Sequence, residues 1–234
     1  MKRLKLFLLL CLTTLLSVSC SDDREKHVTE TLEDRNRSAQ TALDEQFAKQ
    51  WTDEERQQAN SAAQASYLSL AEREVFYYLN LLRLNPPRFA ITYANAYTGM
   101  IGWKNGYAFD ERKASLLREL SSMKPLPLLR PDERLFESAE CLASNGGRLG
   151  LIGHDRTGTG CSDNIGLAEC CSAKGYGNGL PIVMDFLIDA GENNSTLGHR
   201  RILLNSLYEW MGVAIRQHKD YGAMVVMDFH AYQP

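Results

Sequence analysis

The chain has 234 residues, 44% of them hydrophobic, with 26 Lys and Arg set against 29 Asp and Glu for a formal net charge of −3. No basic stripe appears, which excludes nucleic acid as the partner, because binding it needs a concentrated positive footprint. About 170 of those residues, from Ser66 to Pro234, have the length of one ordinary domain with its own core.

Residues 1–19 read as an export signal. Lys2, Arg3 and Lys5 form a positive start and Leu6 to Leu16 an apolar run. That run is too short to span a bilayer, which needs ~20 apolar residues. It ends in Ser17-Val18-Ser19-Cys20, small residues directly before a cysteine, and so resembles the lipobox of bacterial lipoproteins. The resemblance implies that Cys20 becomes the acylated first residue of the mature chain. Acylation would tether the protein to a lipid membrane, each buried CH₂ contributing about 0.8 kcal/mol. The acidic pair Asp22-Asp23 resembles the surface-export signals of some lipoproteins, which points to the cell envelope, at the outer membrane or cell surface.

Residues 20–65 are polar and mixed in charge, with few large apolar side chains to offset the entropy of ordering. The first part is expected to form a tether and the rest to carry a short helix. Near its end, Thr52-Asp53-Glu54-Glu55 is a capping box that predicts a short helix over Arg56 to Ala63.

The folded domain is expected over 66–234. Ser69 and Glu72 make a second capping box, opening a helix with Val75, Leu79 and Leu82 at helical spacing, closed by Asn85-Pro86-Pro87. A helix after Asp110 carries Leu116, Leu117 and Leu120, and Pro125 and Pro127 mark an extended connection. Pro131 suits the first turn of the next helix, whose stripe is Leu135, Ala139 and Leu142 and whose stop is Gly146-Gly147. From Arg148 to Gly179 the richness in Gly, Ser, Asp and Cys predicts irregular structure with short strands, carrying His154 and Asp163. A helix then runs from Pro181 to Asp189. The segment Gly198 to Asn205 places His199 at the mouth of another, and MGVAIRQ and GAMVVMDF form an antiparallel hairpin around Lys219-Asp220. Helices preceding terminal strands make this an α+β layered domain.

Four cysteines remain after the signal and Cys20: Cys141, Cys161, Cys170 and Cys171. In an exported domain an even count favours disulfides. A bridge between adjacent Cys170 and Cys171 would be strained, so the expected pairings join Cys141 and Cys161 to those two. The absence of a paired CxxC argues against a structural zinc site.

The order of several pieces resembles the CAP superfamily, the cysteine-rich secretory, antigen-5 and pathogenesis-related proteins. These pieces are Glu74, Asn80 to Arg83, Leu135 to Ala143, His154, Asp163-Asn164-Ile165, Phe186 to Asp189, the GHRRILLN run and the closing hairpin. The likeness covers about Tyr67 to Phe229. It implies an α-β-α sandwich with a central antiparallel sheet and a cleft lined by two histidines and two acids. Residue by residue these match His154, Asp163, Asp189 and His199, with aspartate where the family has glutamate. Asn80 and Arg83 would tie the first long helix to neighbouring loops.

Two imidazoles and two carboxylates suit Zn²⁺ or another divalent metal. The resemblance implies a protein that binds a ligand or protein partner in this cleft, lipid-like ligands among them, with no cofactor required. The alternative is a metal-assisted hydrolase or peptidase, with His154 and His199 holding the metal and Asp163 or Asp189 as ligand or general base.

Overall fold

A computed structural model describes residues 31–175, 177–191 and 196–234. The expected signal and the acylated Cys20 lie outside these residues. Among them, no helix is long and apolar enough to cross a membrane.

The folded unit starts well before Ser66. Helix α1, Leu32–Phe47, is opened by Thr31, whose hydroxyl accepts from Asp34 N while the Asp34 carboxylate accepts from Thr31 N. Helix α2, Asp53–Ala59, uses the capping box read from the sequence at Thr52 and Glu55, three residues earlier than the expected start. Phe47, Trp51, Ala59, Ala62 and Ala65 all enter the main core. The expectation of a tether before the short helix, with the folded domain starting at 66, is therefore corrected from residue 32 onward. The segment is anchored by buried amides that its polarity disguised. Asn36 donates to Ile101 O at 3.1 Å and accepts from Ile101 N at 2.9 Å, and the Gln40 carbonyl accepts from Asn178 and from Leu180 N.

Helix α3, Leu70–Leu84, begins at the Ser69 cap and runs through the middle of the core. Its Glu72 does double duty, closing the capping box and accepting from Ile215 N at 2.9 Å and Arg216 at 2.7 Å. Asn80 donates to Leu129 O and accepts from Leu129 N. Arg83, fully buried, spreads its guanidinium over the carbonyls of Pro127, Leu203, Asn205 and Tyr208. Both residues thus tie the helix to distant loops as the resemblance implied. A single turn, α4 at Pro86–Phe89, leads through a wide turn to α5, Phe109–Ser122, which buries Leu116 and Leu120.

Next come a two-residue strand β1, Arg130–Pro131, and helix α6, Glu133–Leu149, capped by Asp132 through a 3.0 Å bond from Leu135 N. Pro131 therefore belongs to an edge strand and not to the helix, in a place where a missing N–H is tolerated. Strand β2 spans Ala168–Lys174, α7 Gly179–Ile188, α8 Gly198–Leu203, β3 Trp210–His218 and β4 Gly222–His230. The sheet order is β1-β3-β4-β2. Three strands are antiparallel, as expected, and the short β1 adds a parallel edge.

Because strand side chains alternate, the sheet has two distinct faces. Cys171, Ala214, Met224 and Val226 pack under α6 against Ala139, Leu142 and Ala143. Gly212 lets α6 approach, since a Cβ there would sit 2.1 Å from the backbone of Leu135 and Phe136. The other face, with Cys170, Met227 and Phe229, joins the larger core under α3 and α7. The result is an α-β-α sandwich.

The disulfide is Cys141–Cys161, clipping the loop after α6 back onto that helix. Cys170 and Cys171 are buried free thiols, which corrects the expected pairings. Neighbours in one strand point to opposite faces, so Cys170 is carried into the larger core, away from Cys141 and Cys161.

Candidate functional site

Two polar centres flank β2, one on each face of the sheet. The first is at the end of α7. Asp189 caps that helix in the left-handed conformation, φ 55°, as does Leu197 before α8 at φ 53°. Held this way, the Asp189 carboxylate meets His199 twice: Oδ1 lies 3.0 Å from the ring Nδ1 and Oδ2 accepts from the backbone N–H at 3.2 Å. Phe186 packs against the imidazole with ring centroids 4.9 Å apart. With Nδ1 engaged, Nε2 is the nitrogen left for a ligand.

Arg200 explains why the chain can make this turn. Its buried guanidinium donates to Leu187 O at 2.6 Å and Ile188 O at 3.3 Å, satisfying carbonyls at the open end of α7, and reaches Ser115 and Arg112 O on α5. Burial lowers the Arg200 pKa, while Glu119 opposes the shift. The Gly-His-Arg-Arg run therefore supplies the His199 imidazole and, one residue later, the clamp that positions its support.

Beside His199 opens a cavity of about 300 Å³. Tyr97, Met100, Trp103 and Phe109 contribute apolar wall, and Lys174, Asp185, Asp189 and His199 the polar part. Lys174 donates to Asp185 at 2.7 Å, so those two charges largely offset each other. Burial pushes the Tyr97 phenol up, keeping it neutral.

The second centre lies under α6. His154 Nδ1 lies 2.7 Å from Glu169 Oε1, and Cys171 Sγ is 3.6 Å from each of those atoms. Arg156 donates to Glu169 Oε2, at 3.0 Å from Nε, and to Asp228 Oδ2 at 3.1 Å. Ser138 adds a 2.6 Å bond to the same Asp228 oxygen. Burial raises the Glu169 pKa, but His154 and Arg156 outweigh it and hold the carboxylate below its usual range. Burial, helped by the charge of Glu169, raises Asp228. The hydrogen bond to Glu169 raises His154.

The expected constellation is therefore split. The structure brings Asp189 to His199, and the carboxylate at His154 is Glu169 and not Asp163. Exposed Asp163 lies in a shallow depression with Arg134, Glu137 and Arg156 and bonds neither histidine. His154 and Glu169 work on the α6 face, whereas His199 and Asp189 sit on the α7 side. Among the described residues His154, Asp163, Asp189 and His199 do not form a group whose donor atoms lie close enough to share an ion. Among the described residues, the one group of His, Cys and acidic donors close enough to share an ion is His154, Glu169 and Cys171.

Glu169 had a signal in the sequence. It and Asp228 are acids inside otherwise apolar strands, Ala168-Glu169-Cys170-Cys171 and Val226-Met227-Asp228-Phe229, and they face each other across the sheet. The other two histidines among the described residues are structural: His218 Nδ1 accepts from Asp220 N in the hairpin turn, and His230 bonds the backbone at Tyr232.

Comparison with family models, curated proteins and solved structures finds no match to this chain.

Proposed function

We propose that this is a membrane-tethered extracytoplasmic domain of the CAP type, which binds a lipid-like ligand with its polar head at His199 and its apolar part along the aromatic wall. The observation that carries this reading is the cavity itself. It pairs one imidazole, fixed by Asp189, with Tyr97, Trp103 and Phe109, the mix of apolar lining and few placed polar groups that small-molecule sites use. An anionic or hydroxylated head would meet His199 Nε2 and a chain would cover the rings. The tether at Cys20 and the envelope location complete the reading and rest on the signal and lipobox resemblance alone.

Trp103 in the wall gives a direct test. Palmitate titrated into the purified protein should change its tryptophan fluorescence saturably, and the change should vanish in Trp103→Phe. His199→Ala should weaken binding by about tenfold, the loss of roughly one charge-assisted hydrogen bond. Absence of saturable binding, together with no co-purified lipid in native mass spectra, would reject the reading.

One observation favours a second reading, a hydrolase. A carboxylate on Nδ1 is the support a general-base imidazole needs to take a proton from water or a hydroxyl at Nε2. In that case ester or peptide hydrolysis by the purified protein should disappear in His199→Ala.

A further inference from the structure

We propose that His154, Glu169 and Cys171 form a zinc site on the α6 face, separate from the His199 cavity and built from a different set of ligands than the two-histidine cleft of the family resemblance. The three donor atoms, His154 Nδ1, Glu169 Oε1 and Cys171 Sγ, converge on one point. Zinc binds imidazole nitrogen and carboxylate oxygen at about 2.0–2.2 Å and thiolate sulfur at about 2.3 Å. Tetrahedral angles then place sulfur about 3.6 Å from the nitrogen and from the oxygen. Both observed sulfur separations are 3.6 Å.

The nitrogen and oxygen are 2.7 Å apart, and an ion between them would part them to about 3.4 Å. His154 has the room to do this, because its side chain is 60% exposed while Glu169 is 7% exposed. The two buried ligands are fixed in the strand and the exposed one closes over them.

Two features separate this arrangement from a catalytic thiol triad. In a triad the imidazole uses one nitrogen for the nucleophile and the other for the acid. Here Nδ1 alone faces both Glu169 and Cys171, which is the geometry of shared coordination. Moreover, Arg156 grips the other oxygen of Glu169, leaving Oε1 to the ion and fixing the carboxylate as outer-shell partners of zinc ligands do. On binding, Cys171 gives its proton to solvent. The thiolate and Glu169 then balance the 2+ charge, while Arg156 remains paired with Asp228. Three protein ligands leave a fourth position, on the side of exposed His154, for water or another small donor.

The test uses the mature protein with its Cys141–Cys161 disulfide intact, stripped with a chelator. Zn²⁺ should bind at one equivalent by calorimetry, and Co²⁺ in its place should give the near-ultraviolet thiolate-to-metal absorption that reports a cysteine ligand. Cys171→Ser should abolish that absorption. His154→Ala, at an exposed position that leaves packing intact, should weaken zinc binding by roughly a hundredfold or more, since outer-shell partners alone are worth 10–100-fold. The proposal is overturned if cobalt gives no thiolate band, if zinc affinity is unchanged in His154→Ala, or if uptake depends on His199 instead. None of these readouts involves palmitate or Trp103, so failure here and failure of the cavity reading are told apart.

Discussion

A single carboxylate fixes His199 at two points, Asp189 Oδ1 at the ring and Oδ2 at the backbone N–H. It does so from a left-handed backbone, which costs a non-glycine residue about 1–2 kcal/mol and is easiest for Asp and Asn. Asp189→Ala and Asp189→Gly should both release the imidazole and weaken ligand binding in the cavity. They should differ in stability, because glycine relieves the backbone and alanine does not. Urea unfolding should place the glycine variant about 1 kcal/mol above the alanine variant. Equal stabilities would mean that the turn at Asp189 carries no strain.

The Cys141–Cys161 bridge closes a loop of 20 residues between α6 and the segment before β2. Chain entropy gives such a loop about 3 kcal/mol of stabilisation. Cys161→Ala should lower stability by that order. In denatured, unreduced protein, alkylation should mark Cys170 and Cys171 and leave Cys141 and Cys161 untouched. Labelling at Cys141 would contradict the pairing.

How far the sequence reveals this molecule depends on the kind of interaction involved. Local chemistry is plain: the capping boxes at Thr52 and Ser69 start helices within a few residues of where they were read, and the terminal hairpin follows its alternation. The layered α+β architecture follows from the order of such elements. Long-range bonding by polar side chains is hidden, because an amide that will be buried looks the same in sequence as one that will be solvated. Asn36 and Gln40 made the region of α1 read as a tether for this reason. The site shows the same division. His199 and Asp189 come from the order of pieces that resembles the CAP superfamily, whereas the partner of His154 depends on which strand residue faces α6. Strand alternation puts Glu169 on the α6 face, whereas Asp163 lies in the loop before β2; alternation also places the adjacent cysteines on opposite faces, where no pairing scheme based on counting could put them.

Arg83 is the structural counterpart of Arg200, a buried cation satisfied by carbonyls. It bonds Leu203 O at 3.0 Å and Tyr208 O at 2.7 Å, as well as Pro127 and Asn205. Burial lowers its pKa to about 10, far enough above neutrality that it stays charged. Arg83→Ala would orphan several buried carbonyls at once and should cost about 3–5 kcal/mol, measured as a fall in the urea midpoint. Arg83→Lys should recover only part of this loss, because an ammonium cannot match the planar fork. A midpoint within experimental error of the parent in Arg83→Ala would show that water replaces the guanidinium without penalty.

Asp44 of α1 accepts hydrogen bonds from Tyr78 at 2.7 Å and Tyr93 at 2.9 Å, joining the first helix to the aromatic part of the core. Burial raises its pKa above the ordinary 3.8, and the two tyrosine bonds only partly oppose that shift. A carboxyl raised on folding binds its proton more tightly in the folded than in the unfolded state. Its contribution to stability is therefore full below the ordinary carboxylate value and is lost as pH rises through the folded value. Asp44→Asn keeps an acceptor for the tyrosines but cannot ionise. Relative to that variant, the parent should lose stability as pH rises from the acid side across this window and then reach a plateau. Urea midpoints of both proteins at a series of pH values would show the difference directly. A parent that instead gains stability over Asp44→Asn as pH rises would mean that the tyrosine bonds outweigh burial.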